Sequence, residues 1–598
     1  MNTLQLLASD SQVQQEQDAQ VGVCGRVWHI GFFFDGIGRN IEQDASTSRL
    51  SNIARLFRAY PDETSNTAND NYTKFYFSGL GTPYKEDLSS KLNSIMDISR
   101  SIAKSVAKDK GKEFPQDVLK DTAKEAIKTN WYEALSDTKG KLLNVTEWRK
   151  MVREVLGKIA RKVAIETVPA LRDDPTIASL FITGVETRLA AAKAQFKEFH
   201  SKTQSKSKLP IKLISISVFG FDLGATIARQ FIDQLLSEVC QKEGEAYFYQ
   251  DAKVDIIFTG FFDCSRHTPA TSNVGFAYFV NELGWVGKVA GPLLGDKSID
   301  QKTPLPAVVR QSLHLVAAHE RRPWRCLYPL GDKGEWQEEL FPGCSNDVGG
   351  GLLADEQKPS AELYLAALHK MYIQAYSAGV PFPDYQTLDQ QDTDISVYFI
   401  MNDAVEGKSA EGWMRQYQRK IPVRSLSQSA QELHLDAYIR WLGEQYYRYV
   451  WQMQDLDEQG NRSLASGANA AGIFGVSPQG KAQAEEYRQK QQTLRNNWGW
   501  LDEVHQAALG LRNDLLNSPN DNRLRLCPEI YGRALKRAEQ YLNYYHCAYR
   551  GDNMPAPTDH APDEIFSYFV HDIWTLEPTA MINQDFFVIR AADSLEEE

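Results

Sequence analysis

One stretch constrains the fold more than any other. The apolar run Leu213-Ile214-Ser215-Ile216-Ser217-Val218-Phe219 passes directly into GFDLGATIARQF, residues 220–231. The run reads as a buried strand (211–220), and the residues from Asp222 to Val239 carry apolar positions at the helical period. Gly220 and Gly224 permit a sharp strand–turn–helix with Asp222 at its apex. A strand that feeds a helix through so tight a turn belongs to an α/β sheet.

The rest of the chain repeats the theme. RVWHIGFFFDGIGRN (26–40) reads as a buried strand ending in a glycine-rich turn after Asp35, where open α/β sheets gather their ligands. KFYFSGLGT (74–82), KVDIIFTGFFD (253–263, ending in Asp263) and SLHLVAAHE (312–320) are further strands. FPGCSNDVGGG (341–351) is a glycine-rich loop, and AELYLAALHKMYIQAYSAG (361–379) a helix closed by Gly379. The alternation predicts an α/β fold with a mostly parallel sheet, and the Gly-x-Asp-x-Gly elbow narrows it to an α/β-hydrolase-like core. Five segments follow: a polar N-terminal segment (1–25), a first part of the core (26–84), a helical insertion (85–205), a second part of the core (206–424) and a mostly helical C-terminal region (425–598). A Gly/Ala/Ser-rich linker is expected near 465–480.

Composition excludes some functions. A formal net charge of −12 argues against a nucleic-acid surface. The amino terminus lacks a basic segment followed by an apolar core, and no apolar stretch is long enough to span a bilayer, so a soluble chain made in the cytoplasm is expected. Seven cysteines without a CxxC pair support neither a zinc site nor a disulfide framework; buried free thiols are expected. The Lys-rich amphipathic helices of the insertion suit either a solvated outer face, the commoner case, or an anionic phospholipid membrane.

Read in order, FFFDGIGRN, SNIARLF, YFSGLGT, VFGFDLGATIAR, TGFFDCSR, AAHERRPWR, FPGCSNDVGGG and ALHKMYIQAYSAGVPF resemble the type VI secretion phospholipase effectors of the first class, with their Tle1-like catalytic domain. SYFVHDIW (567–574) resembles that family's closing His-Asp motif. The likeness spans roughly residues 26–385 plus this final segment. It implies a lipase with a Ser-Asp-His triad, injected into rival bacteria, carried on a secretion spike protein and countered by an immunity protein. The family's elbow reads Gly-Phe-Ser-Arg-Gly and its base loop Phe-Pro-Gly-x-His-Ser-Asp-Val-Gly-Gly-Gly. Carried over by position, the nucleophile falls on Asp222, the acid on Asp263 and the base on Ser345. Two of the three catalytic residue types are therefore absent.

A serine triad works because histidine takes the hydroxyl proton while the acid orients the imidazole. An aspartate at the apex needs no such base, and the dipole of the following helix stabilises its anion. Attack by Asp222 on an alkyl carbon, as in haloalkane dehalogenases and epoxide hydrolases, leaves an ester that water can cleave. Attack on a lipid ester leaves a mixed anhydride, a much less favourable intermediate. The expectation is a degenerate, non-lipolytic site acting through binding or altered chemistry. The alternative is an active phospholipase or other ester hydrolase, with or without a metal, using a rearranged site. His571 is the best candidate base, followed by His267 and His319, although a lone histidine beside an apolar run is more often structural. Asp35, Asp222, Asp263 and Asp347 are hard-oxygen ligands that could together hold Ca²⁺ or Mg²⁺; the bland reading is that they bond amides of their own loops. Arg321 and Arg322 suit ion pairs in the core or a phosphate.

Overall fold

The structure, a computed structural model, describes residues 25–82, 184–267, 303–322, 325–353, 356–384, 396–471, 477–517, 528–548, 564–572 and 586–590. The basic segments between 85 and 183 lie outside the described residues. The chain forms two compact units. The first comprises residues up to Ala430 together with Phe569–His571 and Arg590 onward; the second comprises Gln431–Tyr568 and Asp572–Ile589.

The first unit is built on a sheet whose six principal strands are all parallel: β1 (Arg26–Phe34), β2 (Asp70–Phe77), β3 (Ile211–Phe221), β6 (Ala252–Phe262), β8 (Gln311–Ala317) and β10 (Trp336–Phe341). Their order is β10-β8-β6-β3-β1-β2. A short antiparallel hairpin, β4 (Gln241–Glu243) and β5 (Ala246–Tyr249), pairs with the start of β6. A separate two-stranded ribbon joins β7 (Ser265–His267) to β9 (Arg325–Leu327). β1 is buried at all nine positions, as a central parallel strand covered on both faces must be. β2, at the edge, alternates between buried and half-buried.

The aromatic residues of β1 divide between the two faces by strand alternation. Phe32 and Phe34 lie against Phe231 of α4 (Leu223–Gln234), and Trp28 stacks on Phe196 of α3 (Val185–Ser205) at 5.5 Å between ring centroids. Phe33 meets Phe57 and Tyr60, in and just after α2 (Asn52–Ala59). A short α1 (Ile41–Ser46) precedes α2; α5 (Ser345–Gly349), α6 (Leu363–Ser377) and α7 (Ala410–Lys420) follow β10. From β1 the chain steps outward to β2, then returns to the other side of β1 as β3 and continues outward through β6, β8 and β10. The reversal between β1 and β3 makes a topological switch point at the carboxyl ends of these two strands, the place where open α/β sheets gather ligands.

The second unit is helical: α8 (Gln428–Ala471, within this unit from Gln431), α9 (Pro478–Trp498), α10 (Trp500–Asn517), α11 (Pro528–Ala548) and α12 (Glu564–Tyr568). Tyr446 stacks on His505 at 4.3 Å beside Tyr541 and Tyr545, and the Tyr438 hydroxyl donates to Asp572 at 2.7 Å. The expected linker near 465–480 is shorter than its composition suggests, because α8 runs on to Ala471 and α9 begins at Pro478. No helix among the described residues is long and apolar enough to cross a membrane.

Candidate functional site

The tight turn at the end of β3 follows from its two glycines. A Cβ on Gly220 would fall 2.3 Å from Ala225 Cα, and one on Gly224 2.2 Å from the Asp35 carbonyl oxygen. Without them α4 could not fold back against β3 and the end of β1. Asp222, between them, has φ 52° and ψ −126°. This conformation costs a non-glycine residue about 1–3 kcal/mol and persists only where the surroundings impose it. Here the Asp222 amide donates to Phe262 O at 2.9 Å, and Asp222 O accepts from the Ala225 amide at 3.1 Å. The side chain is held as firmly. Ser265 Oγ donates to Oδ1 at 2.5 Å, and Arg325 Nη1 stands 3.5 Å from the same oxygen. The residue is 3% exposed.

On the adjacent strand end, Asp263 also has a positive φ, 47°. Its Oδ1 accepts from the Ala317 amide at 2.9 Å and from Arg590 Nη2 at 2.6 Å. The position that resemblance assigns to the triad acid is therefore paired with a guanidinium. At the end of β8, Glu320 takes both Nε and Nη2 of Arg322, at 2.9 and 3.0 Å. Burial works against its charge, but Arg322 and then Arg590 hold the carboxyl below the usual carboxylate range. Glu320 also accepts from the Ser345 amide at 3.4 Å.

Beyond β10, Asp347 Oδ2 accepts from the Cys344 amide and from the His571 amide, each at 2.9 Å. Its Oδ1 lies 2.6 Å from His571 Nδ1, which is also 3.0 Å from Phe569 O. Both neighbours of Nδ1 are acceptors, so Nδ1 is the donor in this arrangement. His571 Nε2 and Ser345 Oγ are buried without a hydrogen-bond partner. The structure thus gives His571 to Asp347, not to Asp222 or Asp263. His319 accepts from the Gly343 amide at Nδ1 and faces the Tyr417 hydroxyl at 3.3 Å, a structural role. His267 pairs with Arg325 in the β7–β9 ribbon.

The four aspartates considered as ligands for Ca²⁺ or Mg²⁺ each accept hydrogen bonds from protein donors. Asp35 accepts from the Gly36 amide at 2.8 Å, Ser51 Oγ at 2.7 Å and Tyr76 Oη at 2.5 Å; the other three are held as described above. Among the described residues no group of three or more His, Cys, Asp or Glu is arranged to hold a metal ion. Sequence reasoning missed Ser265, Arg325, Glu320 and Arg590 as members of this network. A histidine in a chain-terminal motif was a usable signal; an arginine inside FFVIR was not.

Asp35 carries a pH signature. Burial pushes its carboxyl up to about 6, against hydrogen bonds from Tyr76, Ser51 and Gly36. A carboxyl raised in the folded state binds protons there that the unfolded chain has lost, so its contribution is full below about pH 4 and disappears as pH rises through 6. Relative to Asp35→Asn, the native protein should lose on the order of 3 kcal/mol between pH 4 and 7. Urea unfolding of both proteins across that range checks this; parallel curves would contradict it.

Neither a protein family nor a curated protein matches the sequence. Among solved structures the chain is similar to one described as the crystal structure of an uncharacterized protein from Pseudomonas aeruginosa. The identity is 16%, the TM-score 0.53, and the match covers 99% of this chain and 82% of that one. At that identity the likeness speaks to the fold, a mixed, mostly parallel sheet with a helical C-terminal region. The chain is also similar to the Tle1 effector bound to the VgrG spike from the type VI secretion system, at 16% identity and a TM-score of 0.26, over 56% of this chain and 53% of that one.

Proposed function

We propose that this is an effector-like protein of the type VI phospholipase kind, built on an α/β-hydrolase-like core, whose elbow no longer performs lipolysis and which acts by binding. The observation that carries this reading is the apex of the elbow. Asp222 holds the strained backbone of a nucleophile, but its carboxylate is buried under Ser265 and Arg325. The chain order Asp222, Asp263, Ser345 follows the nucleophile, acid and base order of elbow hydrolases, which supports descent from such a site. Two further features favour loss of the chemistry. The acid position is paired with Arg590, and His571, the best candidate base, is oriented by Asp347. A spike protein and an immunity protein are the partners this reading implies, with delivery from the cytoplasm of the producer into a target cell.

The double variant Asp222→Ser with Ser345→His tests the descent. On mixed phosphatidylethanolamine and phosphatidylglycerol vesicles it should release fatty acid where the native protein does not. Equal release by the two proteins would contradict the proposal.

A further inference from the structure

Two arginines that reach the aspartates at neighbouring strand ends carry buried N–H groups that no acceptor among the described residues takes. Arg590 is 0% exposed; only its Nη2 is used, on Asp263 Oδ1 and on Ala317 O at 2.7 Å, while Nε and Nη1 have no partner. Arg325, 2% exposed, likewise leaves Nε and Nη1 without a hydrogen bond, its Nη1 making only the 3.5 Å ion pair with Asp222. The register sets Phe221 of β3 opposite Phe262 of β6, so Asp222 and Asp263 are next-door strand ends, about 5 Å apart across the sheet. Ser345 Oγ, unpaired and buried, belongs to the same network through Glu320, which its amide contacts and which senses Arg590.

Each buried donor left unmade costs about 1–3 kcal/mol, more when charged, and native proteins keep few of them. A guanidinium fork is matched by an oxyanion, and a phosphate offers enough oxygens for two forks and a hydroxyl at once. One buried acceptor is idle as well: Asp263 Oδ2. A sulfate or a fully ionised diester has no proton to give it, whereas a phosphate monoester near pH 6 retains one P–O–H about half the time. We propose that this edge of the sheet binds a protonated phosphate group, inorganic or monoester, with Arg590 and Arg325 as its forks, Ser345 as a hydroxyl partner and Asp263 Oδ2 accepting its proton. The inference deepens the binding reading of the same site and rests on it.

The test is titration of the full-length protein with inorganic phosphate at pH 6, by calorimetry and thermal unfolding, beside sulfate at equal ionic strength. Phosphate should bind and raise Tm, with sulfate at least about ten-fold weaker. Arg590→Lys and Arg325→Lys keep the charge without the fork and should each lose about ten-fold or more in affinity. Ser345→Ala, a mild change that guards against unfolding in the arginine variants, should lose several-fold. Glycerol 3-phosphate and phosphatidic acid vesicles distinguish a soluble ligand from a lipid headgroup: binding of either, lost in the same variants, supports the site and names its source. Equal shifts with phosphate and sulfate, binding unchanged in Ser345→Ala and Arg325→Lys, or no binding of any phosphate probe would overturn the inference. Fatty acid release is read in the same vesicle samples. Lipolysis there would sink the reading of Asp222 and leave phosphate binding to be judged separately.

Discussion

Replacing Arg590 by leucine should destabilise the first unit by about 3–5 kcal/mol, because it strips the partner from a buried carboxylate. Asp263 would keep only the Ala317 amide, with Oδ2 idle, and the Ala317 carbonyl would lose its side-chain donor. Glu320 would also lose one of the two cations that hold it ionised. Arg590→Lys restores the charge and should recover part of the loss. Hydrogen exchange in peptides of β6 and β8, with urea unfolding of the whole chain, would measure the effect. A loss below 1 kcal/mol would mean that the Arg590–Asp263 pair contributes little to the native state.

Gly224→Ala is expected to be nearly as damaging, at about 3 kcal/mol or more, although it adds one methyl group. That methyl would sit 2.2 Å from Asp35 O and 2.6 Å from Phe34 O, and backbone atoms of a central strand cannot swing aside as a side chain can. Either α4 moves off the sheet or the elbow opens, and both disturb Asp222. Gly510, inside α10, is the internal control. A Cβ there meets nothing within 4 Å, so Gly510→Ala should be neutral or stabilising by up to about 1 kcal/mol. Thermal unfolding of the two variants side by side separates them; equal Tm values would refute the packing argument.

What could be read from the sequence was what local chemistry determines. β1 and β3 announce themselves as long apolar runs because both faces are covered, and the elbow glycines mark where α4 must approach the sheet. β10 was hidden within WQEELF because its first four positions are not buried, which leaves no apolar alternation to detect. The hairpin β4–β5 is short and exposed or half-buried for the same reason. The helix α8 passes through SLASGANAA because alanine favours helix enough to offset its glycine. The aspartates illustrate a different limit. Their placement at strand ends was readable, but a sequence does not say which donors reach them. Arg590 arrives at Asp263 from 327 residues away, and His571 at Asp347 from 224. Those pairings tie Asp263 to Arg590 and orient His571, the best of the three candidate bases, on Asp347.

The most direct measurement is fatty acid release from phospholipid vesicles by the native protein, compared with Asp222→Ala at equal concentration. Release at background in both is the predicted result, since a carboxylate locked by Ser265 and Arg325 cannot take the part of an activated hydroxyl. Release by the native protein that disappears in Asp222→Ala would contradict it and make Asp222 a working catalytic residue.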